Sequence, residues 1–258
     1  MKRPFRDKRP IGPFVSQSTQ SKLDSNVDPS VNVFFHSSEN MPELNNNSIH
    51  LIIGSPPYNV DWDYGNIDDQ KEYNEEYIPQ MARIFTEAYN KLAPGGRLCI
   101  NTLTTDKKAT QSELAMGGAL PNAADITTLL VKQKGRSLKY SNNKDVKVLR
   151  NSTNYILEQH IIWVKPSGSV RNQSRPFGSY PRPNGLLLAP AHESILVFRK
   201  PGNRDLSKVS RQRKNQSEIS SSYFSNELFD DVWRVGPTQT RKYNGFTVPK
   251  FPDELPER

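Results

Sequence analysis

The chain has 258 residues, with 35 Lys and Arg against 27 Asp and Glu, a net charge of +8 and a single cysteine, Cys99. That length suits one large domain or two small ones without a disulfide or metal, and one cysteine excludes an internal disulfide and any multi-cysteine metal site, making a reducing cytoplasm the natural compartment. The basic excess points to polyanionic partners, while the longest apolar runs, 51–53 and 194–198, are far shorter than the roughly 18 residues of a membrane helix, so no membrane partner is expected.

Residues 1–30, rich in Pro, Ser, Gln and basic side chains with no apolar period, predict an irregular arm. The short run from Val31 to Phe35 predicts a buried strand, and His50, Leu51, Ile52, Ile53 and Gly54 predict a second. Ser55, Pro56, Pro57 and Tyr58 end it, because two prolines remove consecutive backbone donors and force an extended turn at the strand's carboxyl end. Over 75–92, Tyr77, Met81, Ile84, Phe85, Ala88 and Leu92 recur at three- and four-residue spacing, one stripe of an amphipathic helix. Pro79 is tolerable there near the first turn. Ala93, Pro94, Gly95 and Gly96 stop the helix, and residues 97–100 predict the next strand, completing a βαβ unit. A weaker helix over 123–132, a basic insertion near 132–150, and strands at 160–164 and 194–198 follow. The alternation argues for an α/β domain with a mainly parallel sheet. Residues 167–185 and 201–244 are polar, basic and aromatic, the composition of ligand-facing loops or a small subdomain.

In open α/β sheets ligands bind outside the carboxyl ends of strands, where the turn at Ser55 falls. By composition alone, two prolines beside serine and tyrosine are a plain extended loop or a ligand for a proline-binding module. The surrounding residues change that reading. Segment 47–60, with Ser55, Pro56, Pro57 and Tyr58 at its centre, closely resembles the catalytic segment of bacterial and archaeal DNA amino-methyltransferases, in the serine form typical of those acting on cytosine N4. Further blocks match in the family's order: 92–101, 161–165, 192–200 and 251–258. They leave only the N-terminal arm outside the resemblance.

The order is that of the permuted class, in which the catalytic half precedes the cofactor's glycine loop. The resemblance therefore implies a Rossmann-like methyltransferase sheet, incomplete here, with a target-recognition insertion. The implied domains are a basic arm at 1–30, a catalytic α/β domain at 31–200, target-recognition loops at 201–245 and a truncated cofactor-side block at 246–258. No two of the 14 glycines are separated by a single residue, so the loop that would approach S-adenosylmethionine is expected on a second subunit or further along a longer chain. Glycine and hydrophobic residues together make up about 39% of the chain, below the roughly 45–50% of complete domains. On this reading one βαβ half is missing, and an apolar sheet edge is exposed unless a partner covers it.

The resemblance also implies roles. The target base is flipped out of double-stranded DNA and stacked on Tyr58. Ser55 Oγ and the Pro56 carbonyl accept hydrogen bonds from its amino group, and Pro57 stiffens the turn. The cofactor is expected at Ser37 and Glu39, where relatives carry an aspartate that contacts adenine, and at Phe251, Pro252, Leu255 and Pro256. DNA is expected at Lys165, Arg171, Arg175, Arg182, Arg211, Arg213 and Arg241, since Arg can read guanine edges. Cys99, in an apolar strand, is expected to be core and not a nucleophile. His192 and Glu193 head a strand; on the residues alone this is a capped or core histidine, and the resemblance puts the pair near the base pocket. The implied activity is cytosine-N4 methylation in a prokaryotic cytoplasm, as the modification partner of a restriction endonuclease. Adenine-N6 methylation, or a non-catalytic DNA-binding subunit or fragment, are the alternatives.

Overall fold

The computed structural model describes residues 32–60, 69, 71–105, 120–131, 138–142, 145–149, 153–165, 191–207, 209–236, 241–243, 246–248, 252 and 254–257. The chain divides into Met1–His36 and Ser37–Arg258. Of the first unit, residues 32–36 are described, and they form no strand. Val33, Phe34 and Phe35 are exposed. The buried strand expected at 31–35 is therefore not built: so short a run becomes a strand only when a neighbour takes its backbone hydrogen bonds, and none does so among the described residues.

In chain order the second unit contains β1 (Ile49–Gly54), a π-helical turn (Tyr73–Tyr77), α1 (Ile78–Lys91), β2 (Leu92–Thr102), α2 (Asn122–Leu130), β3 (Leu138–Asn142) and β4 (Asp145–Leu149). It continues with β5 (Ile156–Val164), β6 (His192–Arg199), α3 (Arg211–Gln216), α4 (Ser221–Tyr223), a second π-helical turn (Phe224–Leu228) and β7 (Val232–Arg234). Short β8 (Arg241–Tyr243), β9 (Phe246–Val248) and α5 (Glu254–Glu257) end it. The stretch expected only as a basic insertion holds the β3–β4 hairpin.

Five strands form one sheet in the order β1-β2-β6-β5-β7. β1 and β2 are parallel, as are β5 and β7, whereas β6 runs antiparallel to both its neighbours. The expectation of a mainly parallel sheet is corrected to a mixed one. A parallel return needs a crossover, usually helical. The link from β1 to β2 has one in α1, but the sequence between β5 and β6 carries no helical period.

Side chains alternate across the sheet. Leu98, Ile100, Leu196 and Phe198 pack with Ile78, Met81 and Phe85 of α1 and Ile126, Leu129 and Leu130 of α2. Ile161, Trp163, Ile195 and Val197 form a second, smaller cluster with Val235, against which Cys99, Trp233 and Leu255 lean. Among the described residues β1 lies at the sheet edge and is not the buried strand expected: Leu51 is 52% and Ile53 41% exposed.

Candidate active site

The register brings the functional ends of the strands together. Gly54 lies beside Ile100, Thr102 beside Ser194, and Val164 beside both His192 and Arg234. The carboxyl ends of β1, β2, β5 and β7 thus meet the amino end of β6 along one side of the sheet. This is the side on which open α/β folds take ligands.

The turn after β1 opens there and is held from several directions. Tyr77, in the turn that precedes α1, donates its hydroxyl to the Pro57 carbonyl at 3.0 Å. The Asp69 carboxylate accepts the backbone N–H groups of Asn59 and Val60 at 2.8 and 3.0 Å. Asn59 has a left-handed backbone (φ 58° at Asn47 and 61° at Asn59 are the two such non-glycine residues described). Its amide clamps the backbone of Lys71, donating to the carbonyl and accepting from the N–H, both at 2.7 Å.

Within the turn, Ser55 Oγ donates to Tyr58 Oη at 2.9 Å, and Tyr58 Oη donates to Glu193 Oε2 at 3.0 Å. Asn101, one residue past Ile100 on β2, gives Nδ2 protons to Tyr58 Oη and Glu193 Oε2, both at 2.8 Å. The Lys165 ammonium pairs with Glu193 Oε1 and sits 4.9 Å from the Trp163 ring centroid. Glu193 is only 5% exposed, while Ser55 is exposed. So enclosed a carboxylate is tolerable because it is paired and hydrogen-bonded.

Behind this group, Ser194 Oγ lies 2.8 Å from both Thr104 Oγ1 and His160 Nε2. Burial holds the His160 imidazole below its ordinary range, with Asp231 opposing and His192 reinforcing the shift. Cys99 is half-buried at the second core cluster, and burial pushes its thiol up, the reverse of what activates a nucleophile.

The sequence-predicted residues are distributed unevenly. Ser55, Pro57 and Tyr58 join the site directly, and Pro56 lies between them. Lys165 enters it too, but with its ammonium on Glu193. Ser37 and Glu39 precede β1: Ser37 Oγ accepts the Glu39 N–H at 3.2 Å, and the Glu39 carboxylate accepts from Gln80 at 2.8 Å and Arg83 at 2.5 Å on α1. The Arg83 bond, then that of Gln80, holds the Glu39 carboxyl below its usual range. Pro252 is buried, Leu255 leans on the second core cluster and Pro256 is exposed. Arg211 and Arg213 stand on α3, whose residues are all exposed, and Arg241 opens β8. Phe251, Arg171, Arg175 and Arg182 lie outside the described residues.

The sequence assigns no site role to Asn101 or Asp69, and Tyr77 enters it only as an apolar position of the helix stripe. Asn101 left a signal, a polar residue at the end of an apolar strand, where an unpaired amide is costly. Asp69 and Tyr77 left none: each reaches the turn across a gap of about ten to twenty residues that only folding closes.

The family model for DNA methylase, covering the N6 and N4 methyltransferases, matches residues 49–258. The chain belongs to the N6/N4 DNA methylase family. Among similar proteins, the type II methyltransferase M.MjaVI of Methanocaldococcus jannaschii is 32% identical over 200 residues, 78% of this methylase chain and 82% of the relative. M.MjaI of the same organism is 25% identical over 256 residues, covering 88% and 74%. Of solved structures, TTHA0409 of Thermus thermophilus, described as a DNA modification methylase and complexed with S-adenosyl-L-methionine, matches with a TM-score of 0.50 and 24% identity. That match covers 83% of this chain and 66% of TTHA0409. The likeness shows a shared fold, the open sheet of S-adenosylmethionine-dependent methyltransferases.

Proposed function

We propose that this chain is the catalytic and target-reading part of a site-specific methyltransferase that moves a methyl group from S-adenosylmethionine to N4 of cytosine in double-stranded DNA. The observation that carries the reading is the turn 55–58, braced by Tyr77, Asp69 and Asn101 at the meeting point of five strand ends. The serine at its head supports cytosine N4 over adenine N6, by resemblance to the serine form of the motif. The likeness to type II methyltransferases supports a modification role beside a restriction endonuclease. No helix among the described residues is long and apolar enough to cross a membrane, in keeping with action on cytoplasmic DNA.

An exocyclic amino group is a weak nucleophile because its lone pair is delocalised into the ring, and inside a duplex it is out of reach. The base must be flipped out. The Tyr58 ring offers a stacking face, while Ser55 Oγ and the Pro56 carbonyl accept from the amino group and aim its lone pair. With the geometry fixed, positioning supplies much of the rate.

S-adenosylmethionine supplies an electrophilic methyl group. Of the residues expected to hold it, Glu39 has two carboxylate acceptor sites beyond those Gln80 and Arg83 occupy, and Leu255 and Pro256 keep part of their apolar surface open. These suit its nucleoside end. Its methionine end needs close-approaching glycine backbone, and the 258 residues contain no Gly-x-Gly. We place that loop outside them, on a second subunit or on further chain.

Target reading falls to 201–245, where Arg211, Arg213 and Lys214 stand beside exposed Ile219, Tyr223, Phe224 and Phe229. Incubating duplex DNA with S-adenosylmethionine and this chain, with and without a polypeptide bearing the glycine loop, and analysing the nucleosides by mass spectrometry tests the reading. N4-methylcytosine is the expected product. N6-methyladenine alone would move the target to adenine. DNA binding without any methylated nucleoside would favour a non-catalytic DNA-binding subunit, the reading that the absent Gly-x-Gly otherwise supports.

A further inference from the structure

The site contains a chain of hydroxyls whose direction is set at its buried end. An ionised carboxylate can only accept hydrogen bonds, so Glu193 Oε2 takes the Tyr58 hydroxyl proton. Asn101 Nδ2, a donor, spends its two protons on Tyr58 Oη and Glu193 Oε2. The Tyr58 oxygen has then given away its one proton and can only accept from Ser55. The Ser55 proton therefore points inward, and the Ser55 lone pairs face outward from an exposed turn. Lys165 on Oε1 fixes the orientation of the carboxylate.

A structural ion pair between Lys165 and Glu193 needs no such path to the surface. We propose that Glu193 is the terminal acceptor of a proton relay, from Ser55 through Tyr58, that removes the proton from the newly methylated amino nitrogen. The relay rests on the amino-methyltransferase reading above. As the nitrogen–methyl bond forms and the carbon–sulfur bond breaks, positive charge passes from sulfur to nitrogen. The nitrogen then loses its extra proton to Ser55 Oγ while the Ser55 proton moves to Tyr58 Oη and the Tyr58 proton to Glu193 Oε2. One N–H bond is lost and one O–H bond is gained, at Glu193, and both hydroxyls are regenerated. After product leaves, the reverse sequence returns the proton to water at Ser55. Serine need not be a strong base on this account, because it is never the final proton holder. Glu193 does not touch the base and acts as a positioning residue through Tyr58.

The test follows methyl transfer from labelled S-adenosylmethionine to duplex DNA, with the glycine-loop polypeptide present. Y58F keeps the stacking ring and the Lys165–Glu193 pair but removes the middle oxygen of the relay, whereas E193Q keeps the shape and removes the charge. Each is expected to lower kcat by about 10²-fold, the low end for a positioned proton transfer, with KM for DNA nearly unchanged. The double variant S55A/E193Q should be no slower than S55A, since both changes break one path. Wild-type kcat in Y58F, or fully additive losses in the double variant, would overturn the relay while leaving the methyltransferase reading intact. Absence of transfer by the wild type would overturn that reading and the relay with it. A second readout needs no turnover. With tyrosine isotopically labelled at Cζ, the Tyr58 hydroxyl proton, identified by its loss in Y58F, should exchange with solvent faster in E193Q than in wild type or S55A. Equal exchange in E193Q and wild type would show that the bond to Glu193 is not what directs the chain. Because E193Q leaves Lys165 without its counter-ion, Y58F carries the kinetic test should E193Q not fold.

Discussion

Asn59 shows how one residue sets the geometry of the turn before it. Its left-handed φ of 61° suits asparagine better than most residues, and its amide bonds both backbone groups of Lys71. Asn59→Ala loses both bonds and keeps the strained backbone. It should cost about 2–4 kcal/mol, read as a lower midpoint in urea, and should loosen Tyr58 from Glu193. His160 makes a second prediction at this scale. Its folded value lies below the ordinary 6.5, chiefly through burial, so the unfolded chain binds a proton that the folded chain refuses. Stability from this group is complete above pH 6.5 and is lost as pH falls through it toward the folded value. Thermal unfolding between about pH 7.5 and about pH 5.5 should show Tm falling with acid, and His160→Gln should flatten that fall.

At the scale of elements, the junction from α1 to β2 decides where β1 and β2 lie. Lys200, at the end of β6, donates Nζ to Asn47 Oδ1, Tyr89 O and Leu92 O at 2.7–2.8 Å, tying together the entry to β1, the end of α1 and the start of β2. Gly95 bonds its N–H to the Lys200 carbonyl at 3.0 Å and has φ +76°. A Cβ there would meet the Arg204 backbone nitrogen at 2.7 Å. Gly95→Ala should therefore destabilise by about 2–4 kcal/mol, measured by denaturant unfolding. The proline and glycines read from the sequence as a helix stop serve equally as the seat for the turn after β6. Sequence periodicity located α1 within a few residues, because its apolar stripe is continuous. The orientation of β6 was not legible, because no local pattern records whether a strand runs up or down.

For the molecule as a whole, the net charge of +8 makes DNA affinity a matter of salt as well as of sequence. Binding to duplex DNA should weaken linearly on a log–log plot against salt, as condensed counterions are released. Replacing Arg211, Arg213 and Lys214 of α3 with alanine should reduce that slope by about 2 to 3, measured by fluorescence anisotropy across a salt series. An unchanged slope would move the DNA surface away from α3. The exposed Leu51 and Ile53 on edge strand β1 also belong to this scale. An apolar edge left uncovered among the described residues invites a further strand or another chain.

The sequence by itself determined the α/β alternation, the extent of α1 and the place of the proline turn at a strand end. Each rests on information within a short window: apolar period, missing backbone donors, helix-stopping glycines. It also carried the resemblance that the family match over residues 49–258 supports at the level of DNA methylase. Only the tertiary structure decided that β6 runs antiparallel, that β1 is half-exposed, and that Lys165 turns to Glu193. It alone joined Ser55, Tyr58, Asn101 and Glu193 into one hydrogen-bonded group, in which Tyr58 and Glu193 are 135 positions apart in the chain. The reason is physical: a buried carboxylate is tolerable only among donors that satisfy it, and strand register, not sequence spacing, brings those donors together.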